Sequence, residues 1–159
     1  MARSPLGWAY GGNLESVSAD LTLEEYRELA ELRYQIRRFE SAMEEDARRL
    51  GIEPASWLLL LTVQGLPEGV KPTISALADR MRMDGQVVSE LVDAAVAQNH
   101  LVRSSADAEG AEHWVKLTRQ GRDLLRRVAL NNRSEREDRG AELAGALQSL
   151  LKQRRRRVA

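Results

Sequence analysis

Between residues 22 and 50 apolar side chains recur every three or four positions, at Leu29, Leu32, Ile36, Phe39, Met43, Ala47 and Leu50. That spacing keeps them on one face of an α-helix. Thr22 followed by Glu25 makes a capping box at its start, and Gly51 stops it. From Leu23 to Leu50 the helix would run roughly 40 Å, longer than a compact core of this chain covers from one side. Part of its stripe is therefore expected to meet another chain.

Pro54 suits the first turn of a second helix carrying Trp57, Leu58, Leu60 and Leu61, which ends near Gly65. Thr73 N-caps ISALADRM, Met83 and Asp84 make a brief connection, and Asp84 caps a further helix from about Gly85 to Gln98. Two short helices joined this tightly form a helix-turn-helix. In the second, Val88, Leu91, Val92, Ala95 and Val96 share one stripe, so Gln86, Ser89, Glu90, Asp93 and Ala97 face outward. Asn99 can adopt the left-handed conformation that closes a helix. HLVRS and HWVKL then read as strands around the turn-like ADAEGAE, with His113 and Trp114 expected to pack under the hairpin. A hairpin directly after a helix-turn-helix is a wing.

Thr118 caps RQGRDLLRRVAL, and the polar run NNRSEREDRG separates or kinks it before AELAGALQSLLKQ. Leu143, Leu147, Leu150 and Leu151 give this last helix a narrow apolar side that calls for a partner. The expected fold is mainly α with a small β-hairpin wing, a winged helix-turn-helix with N- and C-terminal dimerisation helices. A single domain spans 21–155, with the winged-helix lobe at about 54–118 and the dimerisation helices at about 22–50 and 119–153. Residues 1–20 read as a flexible N-terminal arm, in which Trp8 and Tyr10 could dock on a partner subunit, and 154–159 as a solvated basic tail.

Composition narrows the function. The 159 residues are 43 % hydrophobic and 30 % charged, enough for one soluble domain with a core. There is no Cys, and the two histidines, His100 and His113, have no zinc-binding spacing. Neither a nucleophile elbow nor a Gly-rich phosphate loop appears. No enzyme, cofactor or metal site is expected. No run is apolar enough for a membrane span or a secretory signal, so no membrane partner and a cytoplasmic location are expected.

The net charge of zero hides an uneven distribution. Residues 1–71 carry 8 Lys/Arg against 12 Asp/Glu, residues 72–118 carry 4 against 7, and residues 119–159 carry 12 against 5. The lobe expected to touch DNA is thus acidic. Its four cations, Arg80, Arg82, Arg103 and Lys116, together with Arg119 and Arg122 of the following helix, are placed where phosphates could pass. Gln86 can donate and accept at adenine, Ser89 suits several base edges, and Glu90 can accept from a cytosine amino group or remain a solvated residue paired with an Arg.

ISALADRMRMD, VVSELVDAAVAQNHLVR and VKLTRQGRDLL resemble the MarR family of bacterial transcription regulators over residues 73–125, with a looser match in helical pattern from about 21 to 155. The resemblance implies a homodimer held by interleaved terminal helices, with two recognition helices in successive major grooves of palindromic double-stranded DNA, usually as a repressor. It also implies a small aromatic effector held between the dimer helices and the DNA lobe, for which Tyr26, Arg33, Tyr34, Arg37 and Trp57 are the candidate residues; core or dimer-interface packing is the other reading of the aromatics. The chain departs from the family where Glu90 and Ala94 replace basic residues, where Asn99 replaces Gly, and in a wing that carries Asp107, Glu109 and Glu112 without the usual basic pair. Those departures leave open an alternative, a winged-helix dimer with weakened DNA binding that serves as a protein-interaction or ligand-binding module.

Overall fold

Thr22 opens the first helix as its spacing to Glu25 requires. Its hydroxyl accepts from the Glu25 N–H at 3.3 Å while the Glu25 carboxylate accepts from the Thr22 N–H at 2.6 Å. The computed structural model describes residues 21–104, 113–131 and 133–158. The helix begun at Thr22 is α1 (Leu23–Arg49), closed by Gly51 with φ of 73°. Pro54 then occupies the start of α2 (Pro54–Gln64). Thr73 caps α3 (Ile74–Met81) through the Ala76 N–H, and Asp84 caps α4 (Gly85–Ala97) through the Gln86 N–H at 2.8 Å.

The turn of the helix-turn-helix begins one residue earlier than its sequence suggests. Arg82 itself leaves the helix, with φ of 56°, in the small left-handed region open to few side chains. Asn99 takes the same conformation after α4, and the His100 N–H reaches back to the Ala95 carbonyl at 2.8 Å. The chain then enters an antiparallel hairpin, β1 (Leu101–Arg103) and β2 (Val115–Leu117), in which Leu101 faces Leu117 and Val102 faces Lys116. Thr73 bridges to Trp114, adding a short third edge. Trp114 is half-buried, whereas His113, expected beneath the hairpin, is exposed because it precedes the paired residues.

Leu59 and Leu60 of α2, Leu77 of α3, Val88 and Val92 of α4 and Leu101 of β1 are wholly or almost wholly buried and form the centre of the lobe. The α5 helix (Arg119–Asn131) adds Leu125 and Val128 to that core. It is followed by α6 (Arg133–Val158). The polar run expected to separate or kink the last two helices is itself helical from Arg133 onward. Ion pairs between Arg133 and Glu137 at 3.0 Å and between Arg139 and both Glu135 and Glu142 hold it without an apolar stripe. The backbone stays helical through Val158, into the segment read as a tail.

The α1 and α6 helices, each expected to meet another chain, first pack on each other, with Arg38 and Glu142 paired at 2.7 Å. Much apolar surface remains open on the pair, with Leu23 65 %, Leu29 43 %, Leu147 44 % and Leu151 49 % exposed. Among the described residues no helix is long and apolar enough to cross a membrane.

Candidate nucleic-acid interface

Burying Val88, Val92 and Ala95 turns Gln86, Glu90 and Asp93 of α4 toward solvent, with Ser89 half-buried beside them. The outward face is occupied by its own hydrogen bonds. The Gln86 amide donates to the Glu90 carboxylate at 3.0 Å, so the two candidate base readers satisfy each other. Asp93 binds Arg103 of β1, joining the helix to the hairpin. This pairing could not be read from the sequence, because it needs the register that brings β1 against α4.

Three of the six candidate phosphate cations therefore carry a carboxylate partner: Arg103 with Asp93, Arg82 with Asp79 at 3.5 Å, and Arg119 with Asp123 at 4.0 Å. Such exposed pairs are weak, about 0 to 1 kcal/mol each. They nonetheless reduce the positive potential offered to DNA. Arg122 donates to the Leu117 carbonyl at 2.7 Å and so fastens the corner between β2 and α5. Among the described residues Arg80 and Lys116 have no carboxylate within ion-pair distance, and neither has Lys71, which sequence reasoning passed over. The Lys116 ammonium lies 4.4 Å from the centre of the Trp114 ring and that of Lys71 6.0 Å from it. The acids Asp107, Glu109 and Glu112 and the aromatics Trp8 and Tyr10 fall outside the described residues.

The candidate ligand residues do not converge within one chain. Tyr26, Arg33, Tyr34 and Arg37 lie exposed along α1, with Arg37 paired to Glu40 at 3.7 Å and the Arg38 guanidinium 5.5 Å from the Tyr34 ring. Trp57 is buried at the start of α2, where it walls a cleft of about 450 Å³ with Met43, Leu58 and Met83, rimmed by Glu40, Glu44 and Glu53. Its indole N–H has no hydrogen-bond partner among the described residues. Close by on the last turns of α1, burial pushes the Asp46 carboxyl above its ordinary value of 3.8, and Glu135 adds repulsion. Among the described residues no cluster of three metal-ligating side chains occurs.

The sequence profile of the MarR family matches residues 50–110, from the end of α1 through the hairpin's first strand. Solved structures agree over a longer stretch. Wild-type apo MarR from E. coli aligns with 85 % of this chain and 97 % of its own, at TM-score 0.61 and 16 % identity. The fold is that of the MarR family. Staphylococcus aureus MarR in complex with salicylate and kanamycin gives TM-score 0.63 at 12 % identity, covering 85 % of this chain and 92 % of its own. A MepR variant from S. aureus bound to an oligodeoxyribonucleotide gives 0.55 at 15 %, covering 80 % and 96 %. No curated protein matches the sequence.

The MarR-like Leu-Thr-x-x-Gly segment has a physical reason here. The Thr118 hydroxyl donates to the Asn99 carbonyl at 2.6 Å and accepts from the Gly121 N–H at 3.0 Å, clamping the start of α5 to the exit of α4. A Cβ at Gly121 would collide with the His100 carbonyl. The glycine is thus demanded by close backbone approach, which fixes the hairpin against α4.

Proposed function

We propose that the chain is a homodimeric, cytoplasmic, non-enzymatic transcription regulator that binds a palindromic promoter site, usually as a repressor. The observation that carries this reading is the helix-turn-helix of α3 and α4 locked to a two-stranded hairpin, an arrangement shared with a neighbour bound to an oligodeoxyribonucleotide. In it α4 enters the major groove, with Gln86, Ser89 and Glu90 at base edges and Arg80, Arg82, Arg103, Lys116 and Arg119 along the phosphates. Exposed Leu29 and Leu147 support a second copy along α1 and α6.

The test is a salt titration of fluorescence anisotropy on duplex DNA from upstream of the protein's own gene and on a scrambled duplex. Tighter, salt-sensitive binding to the upstream DNA is expected. The carboxylate pairing of Arg82, Arg103 and Arg119 favours a second reading, a winged-helix dimer that binds DNA weakly and serves mainly a protein partner or ligand. Absence of binding to either duplex at low salt would decide for it. A small aromatic effector belongs to both readings, and one neighbour is a salicylate complex. The cleft beside Trp57 is the place for it, and a bound effector would raise the melting temperature of the purified protein.

A further inference from the structure

The lobe's charge is negative as a whole, yet one spot on it gathers two lysines around an aromatic ring. Backbone contacts bring them together. The Val115 N–H donates to the Pro72 carbonyl at 3.1 Å and Thr73 bridges to Trp114, so Lys71 is held beside the strand that carries Trp114 and Lys116. Val115 and Leu117 turn into the core, which leaves Lys116 exposed on the opposite face of the hairpin with Trp114 half-buried on the same side. Both ammonium groups lie over the indole, at 4.4 and 6.0 Å from its centre, so they are no further apart than these two distances together. Among the described residues neither lysine meets a carboxylate, in contrast to Arg82, Arg103 and Arg119.

We propose that Lys71, Trp114 and Lys116 form a clamp for the phosphate backbone of duplex DNA on the flank of the hairpin. The proposal rests on the DNA-binding reading and deepens it, adding Lys71 and Trp114 to Lys116, the one member of the group that reading names. A lysine stacked on an indole keeps its full charge while losing part of its side-chain freedom before binding, so less ordering remains to be done when a phosphate arrives. The start of α3 at Ile74 comes three residues after Lys71 and adds the positive end of its dipole to the same neighbourhood. In the sheet Lys116 faces Val102, next to Arg103, which holds Asp93 on α4. A backbone lying against the clamp therefore runs beside the strand that supports the recognition helix. The paired arginines must first give up a carboxylate to serve a phosphate, whereas the two lysines have no such partner among the described residues.

Binding of the full chain to the upstream and scrambled duplexes across a salt series tests the clamp. Lys71→Gln and Lys116→Gln should each flatten the plot of log affinity against log salt by about 0.9 and weaken both duplexes by the same severalfold factor. Lys116→Arg should restore the slope. Trp114→Leu should lower affinity while leaving the slope unchanged, since the charges remain and only their placement is lost. Arg119→Gln, which removes an already paired charge, should move the slope less than either lysine variant. If the wild type binds and both lysine variants keep its slope, the clamp is refuted and the DNA-binding reading stands. If the wild type binds neither duplex at low salt, both fall.

Discussion

Single carboxylates set much of what this surface can do. Asp93 holds the one arginine of β1, and Asp93→Asn should free Arg103 for a phosphate. Affinity for any duplex is then expected to rise with a slope steeper by about 0.9, and the gain should vanish in the double variant with Arg103→Gln. Asp46 acts in the opposite sense, on stability. It is buried near the end of α1 with its pKa raised, so between the ordinary and the raised value the folded chain holds a proton there that the unfolded chain has already released. Stability from this group falls as pH rises above the ordinary 3.8 and levels off past the raised value. Asp46→Asn should therefore melt higher than the wild type at pH 7, and the gap should close as pH is lowered toward 4. Melting curves at several pH values would show a constant gap if burial of the charge were not the cause.

At the level of elements, the helices that apolar periodicity could reach were legible, because each sets one face against a neighbour, the lobe's core for α3, α4 and α5 and chiefly α6 for α1. Thr22, Pro54, Thr73, Asp84 and Asn99 each mark a boundary by their own local chemistry, and each stands where it was expected. The beginning of α6 was not legible. Arg133, Glu135, Glu137 and Arg139 form a helix through charge pairs, which leave no mark in the hydrophobic pattern. The state of the candidate site was hidden for a different reason. Arg103 with Asp93, and Lys71 with Trp114, are joined by strand register and not by sequence spacing. The same register gives Gly121 its role. Gly121→Ala should cost about 3 kcal/mol, the upper part of the range for overpacking, because the obstacle is the His100 backbone and not a side chain that can swing away. Urea unfolding would measure it, and a loss under about 0.5 kcal/mol would show that the corner yields easily.

For the molecule as a whole, the open apolar surface of α1 and α6 is the feature that a single chain leaves unsettled. Leu23, Tyr26, Leu29, Leu147 and Leu151 line helices that pack chiefly on each other. Sedimentation at micromolar concentration should give a dimer for the wild type and a monomer for the double variant Leu29→Glu with Leu147→Glu. A monomeric wild type would overturn the dimer. A second copy seated on that surface would tie stability to concentration: diluting the wild type tenfold should lower its melting temperature, while the double variant should melt at the same temperature at every concentration.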